Sequence, residues 1–318
     1  MGRPTVSVCI VTCNHASYID DCLESVLGQV ESADGEIVVG DDCSDDETSL
    51  RVARWAQRHP HRIRYFSHVS RLGAAANGRF VVAQARGEYV ALLDGDDMWL
   101  PGKLRAQLEF MQSHAACPAV YTNAIVLDDQ GRLRGIFNNA QPSLISLDYL
   151  LERGNFLNQS SILFRRIHAD AILSLEGSFI DYWLHIAFAR RGALGYLNRP
   201  GVLYRANSAT SMVATDNANV RELYWQAIDA MSADAQHRIA VLHAKGDFLR
   251  RVLLRSVRTR DPALFAKWLR RVMAGEPGAR VGVAWAMVQS VARISAAMTL
   301  EAIALRLMRN PARIWYRH

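Results

Sequence analysis

Three carboxylates crowd four positions in LLDGDDMWLPGKL, residues 92–104, where Asp94, Asp96 and Asp97 follow an apolar run directly. Like charges this close repel one another, and burial adds a desolvation penalty. A cation resolves the conflict. Asp94-Gly95-Asp96 has the D-x-D form, and two carboxylates one residue apart after a strand can reach one hard divalent ion through oxygen ligands. Gly95 lets the backbone turn and approach closely. A cation held there can bridge a diphosphate and stabilise a phosphate leaving group. A solvated acidic turn is the other use of such residues. Thr12-Cys13-Asn14 and Asp41-Asp42 form two more polar clusters, each behind an apolar run. An acidic pair in that position also serves as a helix cap or turn.

The intervening sequence predicts how these clusters meet. VSVCIV (6–11), EIVVG (36–40), IRYF (63–66), YVALL (89–93) and AVYTNAIVL (119–127) read as strands. Helices are expected from Ser17 to a stop at Gly28, from Asp46 to His59, from Gly73 to Arg86, and from Pro101, as first helical residue, to His114. Alternation of this kind predicts an α/β domain with a mainly parallel central sheet flanked by helices. Ligands of such sheets bind beyond the carboxyl ends of the strands. All three polar clusters sit at those ends, so they are expected on one rim. After residue 130 the pattern loosens. SSILFRR (160–166) reads as a strand, Asp181 to Gly192 as a helix, and GYLNRPGVLYR (195–205) as a strand or hairpin pair. From about Glu222 the chain reads as almost wholly helical.

Charge also divides the chain. Residues 243–318 hold 15 Lys/Arg against 4 Asp/Glu, whereas residues 1–242 hold 22 against 27. An acidic body with a basic tail is expected to meet different partners with its two parts. Half of the residues are apolar and about a fifth are charged, a globular composition and not a disordered one. Five cysteines without C-x-x-C spacing read as small buried thiols, not as a zinc site or disulfide framework. The N-terminus lacks the pattern of a secretory signal, so cytoplasmic residence is the expectation.

Taken together, three stretches resemble glycosyltransferase family 2. VSVCIVTCNHASYIDDCLESVLGQ (6–29) is similar to that family's opening strand and helix, EIVVGDDCSDDET (36–48) to its nucleotide-binding turn, and RLGAAANGRFVVAQARGEYVALLDGDDMWLPGKL (71–104) to its helix–strand–DxD passage. The resemblance implies the GT-A fold, a nucleotide-sugar donor, and Mn2+ or Mg2+ as cofactor. It implies that Thr12 and Asn14 line the nucleotide pocket and that Asp42, with Asp41, binds base and ribose. A carboxylate accepting from a pyrimidine N3–H favours uridine or thymidine. Asp94 and Asp96, across Gly95, hold the metal against the diphosphate. Asp97 either faces the sugar or caps the following turn. Asn77 matches a recurrent family asparagine or sits on the helix surface. Trp99 either supports the sugar pocket or is a buried structural aromatic, and Arg71, where asparagine is common, either reaches the nucleotide or stays on the surface. Valine at 11 and cysteine at 13 depart from the usual proline and tyrosine.

Inverting transfer also needs a base for the acceptor hydroxyl. GSFIDYWLHIAFARRGALGYL (177–197) resembles the family segment that supplies it, and Asp181 is its only carboxylate after Glu176. An N-cap role for Asp181 is compatible with this. YRANSATS (204–211) resembles a Tyr-Arg-x-His segment with Asn207 in place of histidine. The expected division is a catalytic domain over 1–220, with 1–125 binding the donor and 126–220 carrying the acceptor side and base, then a basic helical region over 221–318. In FLRRVLLRSVR (248–258), Leu249, Val252, Leu253 and Val257 form the apolar face and Arg250, Arg251, Arg255 and Arg258 the polar one. Asp261-Pro262 reads as the start of a further helix, and the apolar stretch 281–298 is interrupted by Gln289 and Arg293, short for a membrane span. The basic helices either pack on the catalytic domain or lie on an anionic membrane. No nucleic-acid motif is present, and nucleic acid is not an expected partner. The expected activity is sugar transfer to a glycan or lipid-linked acceptor in surface polysaccharide synthesis; the alternative is a non-catalytic nucleotide- or glycan-binding module on the same fold.

Overall fold

The structure is a computed structural model that describes residues 3–128, 130–206, 217–274, 279–307 and 314–316. Its first half alternates β1 (Val6–Thr12), α1 (Ile19–Ser32), β2 (Glu36–Asp41), α2 (Thr48–Arg58), β3 (Ile63–Ser67), α3 (Ala74–Gln84), β4 (Tyr89–Asp94), β5 (Met98–Trp99), α4 (Lys103–Ser113) and β6 (Ala119–Leu127). There follow β7 (Leu133–Asn138), β8 (Leu144–Ile145), α5 (Leu147–Arg153), β9 (Leu163–Arg165), α6 (Asp170–Leu173), α7 (Asp181–Ala189) and β10 (Leu194–Arg205). Four helices, α8 (Asn217–Asp229), α9 (Arg238–Thr259), α10 (Pro262–Met273) and α11 (Ala279–Leu307), precede a short β11 (Ile314–Tyr316).

Strands β3, β2, β1 and β4 lie side by side and parallel. The short β9 then runs antiparallel between β4 and β6, and β10 lies parallel along β6. The mainly parallel sheet expected from the sequence is therefore a mixed one beyond β4. Both faces are covered. Cys9, Val38 and Leu92 point into a core shared with α3 and the later helices, while Val8, Ile10, Val39 and Leu93 point into one shared with α1, α2 and α4. Burial on both faces is why these strands read as unbroken apolar runs.

Local differences from the expected elements have physical causes. Helix α1 runs past Gly28 to Ser32, because Gln29 and Val30 have work to do there. Gln29 donates to the Leu100 carbonyl at 3.2 Å and accepts from the Leu104 amide at 3.1 Å, and Val30 is buried. The turn falls instead at Asp34, whose φ is 47°. Pro101 does not open α4. Gly102 adopts φ 74°, and the helix begins after it. Residues 195–205 form one strand with register shifts around Pro200, not a hairpin. β11 was not legible as a strand. The five cysteines are free; Cys9, Cys22 and Cys117 are buried, Cys13 and Cys43 half-buried.

Helix α9 packs against α5, α10 and α11. Phe248 of α9 meets Trp225 and Trp268 at ring-centroid distances of 5.4 and 5.0 Å. The expected faces of α9 are partly exchanged. Val257 is exposed and Arg250 is buried. Arg250 donates to Asp247 at 2.8 Å and to Ser290 of α11 at 2.8 Å. Burial works against the Asp247 charge, but Arg251 and Arg250 outweigh it and hold the carboxyl below the usual range. Asp261 caps α10 through the Leu264 amide, with Pro262 as its first residue, as the sequence predicts. Among the described residues no helix is long and apolar enough to cross a membrane.

Candidate active site

Strand register builds the rim. Thr12 pairs with Asp41 across β1 and β2, and Val11 pairs with Asp94 across β1 and β4. The Asp42 amide donates to the Thr12 carbonyl at 2.9 Å. The Asp42 carboxylate is aimed by the loop before α3, accepting from the Leu72 and Gly73 amides at 2.6 and 2.9 Å. Those bonds leave part of its acceptor capacity free. Asn14, at φ 58°, accepts from the Asp45 amide at 2.9 Å and so braces the same turn. Asp41 is turned away. It is fully buried and accepts from Ser44, Ser49 and the Tyr65 hydroxyl. Asn77 is buried and not on the helix surface. It donates to the Gly40 carbonyl at 2.8 Å and lies 3.1 Å from His68 Nε2.

Alternation separates the three clustered aspartates. Asp94 and Asp96 are half-buried and open on the same cavity. Gly95 between them sits so close to β1 that a Cβ would lie 2.7 Å from Thr12 Oγ1. Asp97 is buried, accepting from the Ser160 hydroxyl and, at 2.9 Å, from the Arg205 amide. It ties the end of β10 to the 3-10 turn Gln159–Ser161 and does not open on the cavity. Trp99 is a buried aromatic too, with Nε1 donating to the Ser160 carbonyl at 3.3 Å and Lys103 Nζ 3.8 Å above its ring. Arg71 is exposed, 3.2 Å from Asp45, at the cavity edge. Burial first, then the charges of Asp96 and Asp181, push Asp94 up to about 7. Among the described residues no lysine or arginine pairs with Asp94 or Asp96.

Asp181 begins α7 and faces the same cavity. Asn155 Nδ2 donates to its Oδ1 at 2.7 Å. Asn155 is fixed in turn, since its amide donates to the Tyr224 hydroxyl at 3.2 Å. The other oxygen, Oδ2, lies 3.9 Å from His185 Nε2. That histidine carries no compensating charge. It is fully buried, which pushes its pKa down to about 3. Nε2 faces the Leu157 carbonyl at 3.2 Å, which only accepts, so Nδ1 accepts from the Tyr121 hydroxyl at 2.8 Å. Burial raises Asp181 to about 6, against the opposing pull of Asn155 and nearby backbone amides. A carboxylate so tuned is ionised at neutral pH yet a better proton acceptor than a free one.

One cavity of about 980 Å³ brings together Thr12, Asn14, Asp42, Asn77, Asp94, Asp96 and Asp181. Asp41, Gly95 and Asp97 do not line it. Asn207 lies outside the described residues. The sequence reading missed Asn155, Tyr224 and three arginines, Arg221, Arg251 and Arg255, that α8 and α9 contribute to the wall. Helical spacing puts the arginines of α9 on a polar face but does not say what that face looks at.

The two carboxylates are a donor set that would fit a divalent cation. Among the described residues no group of three or more His, Cys, Asp or Glu could hold a metal by itself. Two oxygen-bearing, mutually repelling carboxylates match an ion such as Mg2+ or Mn2+, which takes its remaining ligands from phosphate and water.

The sequence profile of "Glycosyl transferase family 2" matches residues 7–173. The chain belongs to glycosyltransferase family 2. Among curated relatives, the putative teichuronic acid biosynthesis glycosyltransferase TuaG of Bacillus subtilis is 34% identical over 148 residues, 46% of this chain and 58% of TuaG. The putative glycosyltransferase EpsE of the same organism is 30% identical over 213 residues, 64% of this chain and 72% of EpsE. An uncharacterized protein of Mycobacterium tuberculosis is 29% identical over 209 residues, 64% of this chain and 59% of its own length. The chain thus spans about three fifths of that relative. Among solved structures, TarS 1-349 of S. aureus in complex with UDP-GlcNAc superposes with a TM-score of 0.56 at 16% identity, covering 86% of this chain and 92% of TarS 1-349. At that identity the likeness concerns the fold. This family 2 chain has the GT-A architecture that its sequence resemblance implies.

Proposed function

We propose that the chain is a metal-dependent inverting glycosyltransferase that moves a sugar from a nucleotide-diphospho-sugar, a UDP- or dTDP-sugar, to a glycan or lipid-linked acceptor in surface polysaccharide synthesis. The observation that carries this reading is the convergence of Asp42, the Asp94–Asp96 pair and Asp181 on one cavity. Asp42 accepts from the base of the donor, with Thr12 and Asn14 beside it. Asp94 and Asp96 would hold Mn2+ or Mg2+, and the ion would supply charge neutralisation for the departing diphosphate. Asp181, oriented by Asn155, accepts the proton of the acceptor hydroxyl as its oxygen attacks the anomeric carbon and the bond to the diphosphate breaks. An ionisable carboxylate with no cationic partner among the described residues favours a catalyst over a binding module.

The acceptor end lies toward the basic helices. Val281, Trp285 and Val288 recur at helical spacing on α11 and are exposed. With the basic charge of the tail they support peripheral contact with an anionic membrane at the inner face of the cell. The test is a thermal-shift panel of UDP-, dTDP- and GDP-sugars with Mn2+, followed by donor hydrolysis on the sugars that bind. Binding with metal-dependent hydrolysis is the expected result. Binding without hydrolysis or transfer leaves a binding module, and no binding of any nucleotide-sugar overturns the reading.

A further inference from the structure

The wall of the cavity beyond Asp181 is positive, in contrast to the acidic rim. Arg221 stands one turn before Tyr224 on α8, and Arg251 and Arg255 stand one turn apart on α9; all of them line the cavity. Their distance from the base is short in bonds. Arg251 lies over the Tyr224 ring, 6.0 Å from its centroid, and the Tyr224 hydroxyl accepts from Asn155, which holds Asp181. The junction is packed tightly, for a Cβ on Gly154 (φ 77°) would lie 2.5 Å from the Tyr224 hydroxyl and 3.1 Å from an Arg251 nitrogen. These arginines therefore flank the acceptor side of the cavity and not the β2–α2 turn where Asp42 lies.

Their charge is only partly balanced. Arg251 donates to Asp247 at 2.6 Å, but that carboxylate also serves Arg250. Arg221 donates to the amide oxygen of Asn217 at 2.6 Å, a neutral acceptor. Among the described residues no carboxylate forms an ion pair with Arg221 or Arg255. Arg221 and Arg255 line the same cavity, and burial, then repulsion from Arg255, pulls the pKa of Arg221 down. Two like charges are kept together against that repulsion in a place that water and substrate can enter. An oxyanion between them relieves it and satisfies planar, multi-donor groups that match phosphate and carboxylate geometry.

We infer that Arg221 and Arg255, with Arg251 behind them, form an anion subsite for the acceptor, so that the acceptor carries a phosphate or carboxylate close to the hydroxyl that is glycosylated. The inference rests on the glycosyltransferase reading, because it needs Asp181 to mark the acceptor side.

The test uses the full chain with its donor site filled by UDP and Mn2+. Calorimetric titrations with glycerol 1-phosphate and with glucuronate are compared with glycerol and glucose. The acidic probes should bind and the neutral ones should not. Arg255→Gln, at an exposed position that leaves the fold undisturbed, should weaken the acidic probes by about tenfold, and Arg221→Gln/Arg255→Gln by about a hundredfold, one charge-assisted contact for each decade. UDP affinity should not change in either variant. A preference for the phosphate or the carboxylate probe identifies the acidic group, and either supports the subsite. Equal binding of acidic and neutral probes, absence of binding by the acidic ones, or loss of UDP affinity in Arg255→Gln overturns it. Failure of the unaltered chain to bind UDP strikes the glycosyltransferase reading itself, which separates the two.

Discussion

Asp181→Asn isolates the proposed base. Asparagine keeps the size of the side chain, and its amide oxygen can take the 2.7 Å bond from Asn155 that Oδ1 accepts now. The proposed donor contacts come from elements before residue 100 and are untouched. Proton acceptance is lost, so transfer should fall by about 10²–10⁴-fold. The pH profile sharpens this. With Asp181 at about 6, the carboxylate is mostly ionised at pH 7.5, and at pH 5 only about a tenth of it is. The unaltered enzyme should therefore lose about tenfold in kcat/KM between its plateau and pH 5, with an acid limb near 6. The variant should show a low rate without that limb. The assay is initial-rate release of nucleoside diphosphate at saturating metal, with UDP affinity measured in parallel. Near-normal transfer by folded, UDP-binding Asp181→Asn would refute the assignment, since a residue that merely starts α7 can be replaced by asparagine at little cost.

Asp42→Ala should weaken nucleotide binding more than it slows chemistry, because Asp42 sits in the pocket by way of the Leu72 and Gly73 amides; unchanged UDP affinity by calorimetry contradicts that role. Gly95→Ala should destabilise by about 1–3 kcal/mol, as its Cβ overlaps Thr12 and forces β1 and β4 apart; a denaturation midpoint equal to that of the parent contradicts the close approach. In EDTA the chain should lose stability as pH rises from about 4 to about 7. Asp94 and Asp181 are raised to about 7 and about 6, so the folded state holds protons that the unfolded state has released across that window. Mn2+ should restore the melting temperature at the upper end, and a flat profile in EDTA would show that burial does not raise these two carboxylates.

Much of the donor side was legible because buried strands announce themselves. Runs such as VSVCIV and YVALL have both faces covered, and each ends where the sheet does, so the polar residues after them had to meet on one rim. Which carboxylates turn into the cavity was less legible. Asp96 and Asp97 are adjacent, and alternation sends one to the cavity and the other to Ser160 and Arg205; Asp41 and Asp42 divide in the same way. Gly28 misled as a helix stop because an open side of α1 tolerates glycine, while the Gln29 contacts that extend the helix come from residues 100 and 104. The far wall of the cavity was least legible. Asn155 follows α5, Arg221 and Tyr224 lie on α8 and Arg251 on α9, and only tertiary packing around Gly154 and Phe248 unites them. Asp181 came from the family resemblance; its upward shift by burial, opposed by Asn155, came from the structure.

The proposed mechanism requires a divalent cation acting between Asp94–Asp96 and a diphosphate. Calorimetric titration of UDP into the chain with Mn2+, in EDTA, and into Asp96→Ala with Mn2+ tests this most directly. Tight binding in the first case, with at least a tenfold loss in the other two, is the predicted result. Equal UDP affinity in all three contradicts the metal site, and with it the mechanism.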